Sequence, residues 1–380
     1  RAEVSTTADA KGDWKVELPA MKADGKTHQM TVSGKNEIKL DNILIGEVWL
    51  GSGQSNMKMG INACGPRAKK DAAAANYPKI RLFSRQPKNR APGPWAECSP
   101  TVLGDPAYGN WGGFSGALFY FGERLHKELD VPIGLISSTK GGTPIAAWTP
   151  PDGELHTSMT APVVPFAIRG MIWYQGEANL GMGLKYAESQ KTLIKSLRGL
   201  WGYDFPFHFV QLPPYKAKGK MPTFWEAQAS SLKIPDTGMI VTTDIGGSVH
   251  PLNKWDVGSR LALWALAKQY KKEIVYSGPL YKSKTVNGNK IQLTFAHGGG
   301  LKSRDGKPLN LFEIAGADGK YVPANAVIQG DMVVVGADGV ASPVNVCFGW
   351  NEVVKPNLVN EAGLPASPFQ TDNWTGGTGE

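Results

Sequence analysis

The sequence predicts an α/β protein with a central parallel sheet and a smaller β-rich domain. Between about residues 43 and 272, short apolar runs alternate with amphipathic stretches, and this alternation predicts a parallel sheet with helices on both faces. On either side, residues 1–42 and 273–350 contain short strand-like runs separated by glycine turns. At 380 residues, the chain is long enough for one large and one smaller domain.

Each element of the central region, residues 43–272, follows from its own pattern. Helices are predicted where apolar residues recur every three or four positions, as in Phe114, Leu118 and Phe121. This helical pattern covers three segments: 114–129, 185–201 and 256–271. Strands are predicted at six apolar runs: 43–50, 79–83, 132–137, 168–174, 205–212 and 239–243. Residues 60–113 and 149–165 hold much of the proline, glycine and asparagine, which predicts long loops over the functional edge of the sheet.

The flanking regions predict β-hairpins. Trp14, Val16 and Leu18 share one parity, as do Met30 and Val32, and Asp-Gly and Ser-Gly pairs supply the turns. A hairpin alone cannot bury a core, so we expect residues 1–42 to dock on the strands of residues 273–350 in one discontinuous β-sandwich. Residues 351–380 are expected to return to the central region and to end in a flexible tail.

Ser55 is the first candidate functional residue. It lies on a glycine-flanked turn directly after an apolar run, in GEVWLGSGQSNM at residues 46–57. Gly51 and Gly53 permit the backbone angles of a sharp strand-to-helix turn, and such a turn presents a serine hydroxyl at the carboxyl edge of an α/β sheet. An ordinary glycine–serine loop is the alternative, because Met57 stands where the lipase motif GxSxG has glycine.

Two further polar segments lie at the ends of predicted strands. WYQGEAN, residues 173–179, comes at the end of the strand at 168–174, and DIGGSVHPLNK, residues 244–254, at the end of the strand at 239–243. The carboxyl ends of parallel strands share one edge of a sheet. We therefore expect Ser55, the group Gln175, Glu177 and Asn179, and His250 to converge in one crevice.

The chain resembles the sialate O-acetylesterase family of carbohydrate esterases, within the SGNH hydrolase superfamily. The resemblance covers about residues 8–374 and rests on five segments in the same order: GEVWLGSGQSNM, SSTKGGTPIAAW (137–148), WYQGEAN, DIGGSVHPLNK and NEAGLPASPFQTDNW (360–374). It implies an SGNH-type, flavodoxin-like fold and a serine esterase that removes acetyl groups from sugar hydroxyls. Ser55 matches the family's nucleophile and His250 its general base.

The group that orients His250 is not settled by the sequence. Family members that this chain resembles place an aspartate two or three residues before the histidine, where this chain has Gly247 and Ser248. Three arrangements stay open: a Ser–His dyad in which Ser248 or a backbone carbonyl holds the imidazole, an acid supplied by Asp244 or Glu177, or an impaired catalyst. We favour activity with a weakened or relocated third member, because a neutral acceptor can also orient an imidazole. Asp244 could equally bond turn N–H groups.

The oxyanion donors are predicted to be backbone and amide N–H groups. The N–H of Ser55 is the first donor, and the resemblance favours Gly142 as the second. Gln175 and Asn179 offer side-chain amides, and of these we favour Gln175, although both could instead brace the loop through a buried hydrogen-bond network. Glu177 fits that bracing network better than direct contact.

Three residues are candidates for binding the substrate, which we expect to be an acetylated carbohydrate. Gln54 precedes the nucleophile, and Trp148 and Trp173 could form a wall on which a sugar ring stacks. The alternative for both tryptophans is the core, where tryptophan beside a strand is more often found.

Composition argues against several other classes of function. The formal net charge is +8 and the pI about 9.2, but lysine and arginine are dispersed, which does not favour a nucleic-acid partner. No run approaches the roughly 18 apolar residues of a membrane-spanning helix. The six histidines are scattered, without CxxC or HxxxH spacing, so no metal or other cofactor is expected.

The cysteines and the first residues bear on the compartment. Cys64 and Cys98 lie in one glycine- and proline-rich stretch and could pair in a secreted protein, but three cysteines favour isolated thiols. Residues 1–14 lack the apolar core of a signal peptide, while glycan-degrading esterases of this family usually act outside the cytoplasm. We expect a secreted or periplasmic protein whose signal peptide has been removed.

Two hypotheses about function come from different classes. The leading one is hydrolysis of acetyl esters on acetylated sialic acid, xylan or related glycans, through an acetyl-serine intermediate. The alternative is a catalytically weakened glycan-binding protein derived from such an esterase, because the acid before His250 is missing and the flanks are β-rich. A lipase or peptidase is disfavoured, because the chain lacks a long apolar lid segment.

Overall fold

The computed structural model describes residues 2–86, 93–353 and 355–379. Residues 2–26 form no strand or helix, so the hairpin predicted around Trp14 is wrong. Trp14 and Leu18 are 54% and 46% exposed, and a strand with no buried face gains little from alternating apolar residues. A hairpin forms further along, where β1 (Thr27–Ser33) and β2 (Glu37–Leu44) pair antiparallel as a separate two-stranded sheet.

This hairpin contacts the edge of the central sheet. The Nδ2 of Asn42 donates to Glu97 Oε1 at 3.1 Å, and Arg81 donates to Asn42 Oδ1 at 2.8 Å. The assignment of residues 1–42 to the second domain stays a prediction.

Seven strands form the central sheet within the described residues: β3 (Glu47–Gly53), β4 (Tyr77–Arg85), β5 (Gly93–Cys98), β6 (Ile133–Thr139), β7 (Gly170–Tyr174), β8 (Phe207–Val210) and β9 (Thr237–Ile240). Their order is β5-β4-β6-β3-β7-β8-β9, and all neighbours are parallel except the edge strand β5. The order β6-β3-β7-β8-β9 corresponds to 2-1-3-4-5, the flavodoxin-like order. The predicted α/β fold of SGNH type is therefore confirmed.

Helices cover both faces of this sheet. The described chain has these α-helices: α1 (Ser55–Lys58), α2 (Pro66–Ala74), α3 (Pro100–Gly104), α4 (Gly116–Leu129), α5 (Tyr186–Trp201), α6 (Met221–Ser230) and α7 (Lys254–Lys268). Other helical turns, most of them 3-10 in type, are Ile61–Ala63, Ile145–Trp148, His156–Thr160, Ala161–Val163, Glu177–Lys185 and Ser231–Lys233. The three predicted helices appear as α4, α5 and α7. Residues 60–113 are not one long loop, because they contain α2. The buried stripe of this helix consists of Ala68 and Ala72 and is too small to be recognised in the sequence.

The main core lies between the central sheet and its helices. Trp49 of β3 packs against Phe121 of α4, with ring centroids 5.0 Å apart, and Trp264 of α7 is fully buried. Cys64 and Cys98 are both buried free thiols, so the two do not form a disulfide. In the described part of the chain, no helix combines the length and the apolar character that crossing a membrane requires.

A second domain consists of antiparallel strands: β10 (Leu280–Asn287), β11 (Lys290–Ala296), β12 (Lys302–Ser303), β13 (Phe312–Ala315), β14 (Tyr321–Pro323), β15 (Asn325–Gln329), β16 (Met332–Gly336), β17 (Asn345–Phe348), β18 (Leu358–Val359) and β19 (Phe369–Gln370). Two four-stranded sheets, β10-β11-β16-β15 and β14-β13-β17-β19, enclose their own apolar core. Beyond β19 the chain returns to α6, where Gly377 N–H donates to the carbonyl of Ala229. The domain boundaries at residues 42, 272 and 350 stay predictions.

Candidate active site

Ser55 is the first residue of α1, directly after β3 and the N-cap residue Gln54. The turn before it requires glycine at position 53. There φ is +132°, and a Cβ would lie 2.2 Å from the carbonyl oxygen of Tyr174. This close approach of β3 to β7 lets the chain turn sharply from strand to helix, which places Ser55 at the carboxyl edge of the parallel sheet.

His250 lies in the loop between β9 and α7, 195 residues further along the chain than Ser55. Its Nε2 is 2.9 Å from Ser55 Oγ, which is the distance of a hydrogen bond between a hydroxyl and an imidazole. The structure therefore brings together the two side chains that the sequence analysis expected to converge.

The surroundings of His250 favour a neutral imidazole. Burial lowers the pKa of His250, and the positive charge of Lys254 lowers it further. The residue is half-buried, and Trp111 packs edge-on against the ring with ring centroids 5.0 Å apart. Because a neutral imidazole can accept the proton of a serine hydroxyl, the pair is able to activate Ser55 near neutral pH.

Nδ1 of His250 has no hydrogen-bond partner among the described residues. The Oγ of Ser248 accepts from the backbone N–H of His250 at 3.2 Å, so Ser248 shapes the turn. Asp244 accepts two hydrogen bonds from Arg260, at 2.8 and 2.6 Å, and lies 3.7 Å from Arg304. Burial alone would raise the pKa of Asp244, but the bonds and charge of Arg260 hold it below its ordinary value. Asp244 is thus an ionised partner of Arg260.

Glu177, the third predicted orienting group, lies beneath the site. Its Oε1 accepts a hydrogen bond from the Nδ2 of Asn56, the residue after Ser55. Its Oε2 is buried and has no partner among the described residues. Burial raises the pKa of Glu177 above its ordinary value. Glu177 therefore reaches the catalytic edge through Asn56 and does not contact the imidazole by a hydrogen bond.

Backbone N–H groups beside Ser55 can face a developing oxyanion. The Ser55 N–H lies in the first turn of α1 and has no partner within the helix. The loop after β6 passes beside it, because a Cβ on Gly141 would lie 3.5 Å from the Cβ of Ser55. The next residue, Gly142, is exposed at φ +71°, and its N–H has no backbone partner among the described residues.

The two side-chain amides differ in what they can donate. Both Nε2 hydrogens of Gln175 are used inside the protein, one on the carbonyl of Thr143 at 3.1 Å and one on Asn179 Oδ1 at 2.6 Å. Asn179 Oδ1 also accepts from the N–H of Ile145, while among the described residues the hydrogen-bond partner of its Nδ2 is the thioether of Met182, a weak acceptor. The preference for Gln175 as a donor is therefore corrected, because Gln175 braces Asn179.

The predicted substrate-binding side chains are buried. Trp148 and Trp173 are each 1% exposed and pack edge to face on one another. Neither ring offers a face to a sugar, so the predicted stacking wall is corrected to a piece of core. The Oε1 of Gln54 accepts from the N–H groups of Gly176 and Ala178, at 3.4 and 3.3 Å, and thus braces the turn after β7.

Three residues of the site were not singled out from the sequence. Asn56 and Lys254 stand inside the quoted segments QSNM and HPLNK, and Trp111 lies in the stretch predicted as a loop. The only signal in the sequence for Asn56 and Lys254 is their closeness to Ser55 and His250 along the chain. Nothing in the sequence pattern indicates that Trp111 packs on the histidine.

Known proteins share this chain's pattern over most of its length. A family model described as carbohydrate esterase, sialic acid-specific acetylesterase, matches residues 45–262. The sialate O-acetylesterases of Pongo abelii and Homo sapiens are each 27% identical to it, over 96% of this chain and 83% of theirs. The crystal structure of a carbohydrate acetylesterase from Xanthomonas citri is 37% identical, with a TM-score of 0.87 over 97% of this chain and 90% of that one.

The flavodoxin-like sheet with Ser55 and His250 at its carboxyl edge defines the α/β fold of SGNH type. The comparisons then give the family: this chain belongs to the carbohydrate esterases of the sialic acid-specific acetylesterase family, which are carboxylic ester hydrolases.

Proposed function

We propose that this protein is a serine esterase that removes O-acetyl groups from carbohydrates through an acetyl-Ser55 intermediate. The observation that carries the proposal is the 2.9 Å contact between Ser55 Oγ and His250 Nε2 at the carboxyl edge of the sheet. The substrate class is supported by relatives named sialate O-acetylesterase and carbohydrate acetylesterase. Acetylated sialic acid, xylan and related glycans are the candidate substrates.

Acylation begins when the Ser55 hydroxyl attacks the acetyl carbonyl and its proton passes to His250 Nε2. The tetrahedral intermediate collapses as the C–O bond to the sugar breaks, and the imidazolium returns the proton to the leaving sugar oxygen. In the second half, His250 takes a proton from water, which attacks the acetyl-Ser55 ester. The second tetrahedral intermediate then collapses, acetic acid leaves and ionises to acetate, and His250 returns its proton to Ser55 Oγ.

The oxyanion is held by three N–H donors in this proposal: the backbone N–H groups of Ser55 and Gly142 and the Nδ2 of Asn179. The support for Asn179 over Gln175 is the network that fixes its Oδ1, since two donors on that oxygen set the direction of the amide. Fixed donors stabilise a developing charge without reorganising during the reaction.

We further propose that the catalytic group is a Ser–His dyad. This is supported by the positions of the three side chains considered for the third role. Asp244 is paired with Arg260, Glu177 accepts from Asn56, and Ser248 accepts from a backbone N–H. The protein is proposed to act outside the cytoplasm, in keeping with the habit of its family.

Acetate release from a panel of acetylated sialic acid, xylan and other glycans tests the proposal. Wild-type protein should release acetate from at least one of them, and Ser55→Ala should lower kcat by about 10⁴-fold or more. The matched control is Ser342→Ala, which removes an exposed hydroxyl in the second domain and should stay active. Turnover by Ser55→Ala equal to that of the wild type would refute the proposal. Glycan binding without hydrolysis in the wild type would favour a glycan-binding protein.

A further inference from the structure

Lys254 is a fully buried lysine beside the catalytic pair. It is 0% exposed, and its Nζ donates to Asn56 Oδ1 and to the carbonyl of Pro251, both at 2.7 Å. Its Nζ also lies 5.4 Å from the centre of the Tyr174 ring. Lysine is almost never fully buried unless it is paired, and burying an ammonium group is costly unless hydrogen bonds compensate it. These partners compensate the cost of burying the ammonium group, but they do not by themselves give the lysine a function.

Asn56 connects Lys254 to the other buried group, Glu177. Its Oδ1 accepts from Lys254, while its Nδ2 donates both to Glu177 Oε1 and to the carbonyl of Val249, the latter at 2.7 Å. Both ends of the Asn56 amide are therefore held. Because Asn56 follows Ser55 in α1, this cluster is joined covalently to the nucleophile.

The cluster holds the backbone on both sides of His250. Val249 and Pro251 are its two neighbours in the chain, and their carbonyls accept from Asn56 and Lys254 respectively. These two bonds hold the loop backbone, while the ring itself is held by a hydrogen bond only at Nε2, since Nδ1 of His250 has no partner among the described residues. A displacement of about 1 Å between catalytic groups can lower the rate by about 100-fold.

We propose that Lys254 and Asn56 are positioning residues that set the approach of His250 to Ser55. They hold the loop backbone on both sides of His250, whereas a third-member acid would hold the imidazole ring. This inference rests on the proposed function, because it concerns the same Ser55–His250 pair. Both side chains are 0% exposed, so their proposed role is to act through His250 and Ser55. The cation of Lys254 adds a second effect, because it lowers the pKa of His250 and so favours the neutral base.

The pH profile separates positioning from a purely structural role. Besides His250, the titratable groups that face Lys254 are Cys64, Glu177 and Tyr174. Burial lowers the pKa of Lys254 to about 8, while Cys64 and Glu177 oppose the shift. At neutral pH Lys254 is therefore mostly charged. Removing that charge should raise the pKa of His250 and move the acid limb of kcat/KM to higher pH.

The deciding experiment compares Lys254→Met and Asn56→Ala with the wild type. Each variant should lower kcat by about 10- to 100-fold with KM near the wild-type value, and Lys254→Met should also shift the acid limb upward. The matched control is Lys268→Met, at the opposite end of α7 from Lys254. The ammonium group of Lys268 lies 5.0 Å from the centre of the Tyr276 ring. Lys268→Met should keep the kcat of the wild type, and the acid limb of its kcat/KM profile should stay at the wild-type pH.

The outcome is distinguishable from failure of the proposed function. If Ser55→Ala abolishes acetate release but Lys254→Met keeps the kcat and the acid limb of the wild type, only this inference is overturned. Near-UV circular dichroism and melting temperature report folding. If Lys254→Met does not fold, Asn56→Ala decides, because it removes the bridge and leaves the lysine in place. An unchanged kcat in folded Asn56→Ala overturns the inference as well.

Discussion

His250 and His208 are two histidines of the catalytic domain with similar ring chemistry and different surroundings. Each has Nε2 in a hydrogen bond, His250 with Ser55 Oγ at 2.9 Å and His208 with Gln269 Oε1 at 3.0 Å. Burial lowers the pKa of both. His208, however, is 1% exposed in the middle of β8, whereas His250 lies half-buried on a loop at the carboxyl edge. A lowered pKa therefore does not by itself point to a catalytic base; the proposal for His250 rests on its access and on its contact with Ser55.

The neighbouring rings sharpen this contrast. His208 is packed between Trp49 and Trp264, with centroid distances of 5.9 and 6.1 Å. His250 has Trp111 on one side and Ser55 on another. We expect substitutions at His250 to act on the rate and substitutions at His208 to act on stability.

The largest expected effect is on activity at His250. His250→Ala should lower kcat/KM by about 10³-fold or more, because Ser55 loses its general base, with little change in melting temperature. His208→Asn is the matched variant and should lower the melting temperature while kcat/KM stays near the wild-type value. Steady-state kinetics and thermal unfolding measure both. The comparison fails if His208→Asn loses as much activity as His250→Ala at a temperature where it is folded.

A second prediction separates Asp244 from the imidazole. Asp244→Ala should lower the free energy of unfolding by about 3 to 5 kcal/mol, because it leaves the mostly buried Arg260 without its carboxylate. The kcat of the folded variant should be retained, since Asp244 makes no hydrogen bond to His250. Urea unfolding and acetate release are the measurements. A large fall in kcat would show instead that Asp244 serves as the third catalytic group.

Glu128→Ala is the control for the loss of an ion pair. The pair of Glu128 with Arg124 spans one helical turn of α4 at 3.1 Å and is exposed on both sides. Exposed pairs of this kind contribute about 0.3 to 0.5 kcal/mol, so the free energy of unfolding should barely change.

The third prediction is a pH dependence of stability that originates at His208. Its pKa in the folded protein is about 4, below the ordinary 6.5, so the unfolded chain binds a proton that the folded protein does not. Stability is fully present above pH 6.5 and is lost as the pH falls from 6.5 through 4. This interval corresponds to about 3 kcal/mol. Urea unfolding should show a smaller loss between pH 7 and 4.5 in His208→Gln; equal losses would contradict the assignment.

The fold was predictable because its signals are local. Apolar runs mark the parallel strands, and glycine permits the turn after β3. The edge strand β5 was missed because it is short, carries Pro94 and leaves Trp95 40% exposed, so it lacks the apolar run of a central strand. The hairpin predicted around Trp14 is the opposite case. The alternating apolar pattern is present there, but its side chains have no apolar surface to pack against.

The site was predictable only in part. Strand ends and the family resemblance pointed to Ser55 and His250, because topology brings the ends of parallel strands to one edge. The roles of Gln175 and Trp173 depend on which neighbouring groups their side chains contact. Only the packing of the folded chain determines those contacts. Lys254 is the clearest case, because a lysine in a polar segment is ordinarily exposed, and its burial arises only when α7 docks beneath the loop of His250.

The smallest expected effect concerns Trp111, the aromatic neighbour of His250, the proposed base. Trp111→Leu should lower kcat/KM by about 3- to 10-fold, equivalent to about 1 kcal/mol for one aromatic contact. It should also move the acid limb of kcat/KM to higher pH, because burial is the main cause of the lowered pKa of His250 and Trp111 covers part of that ring. Trp264→Leu, beside His208, should leave the acid limb in place and lower stability instead. An acid limb unmoved in Trp111→Leu would mean that other groups, Lys254 first among them, account for the lowered pKa of His250.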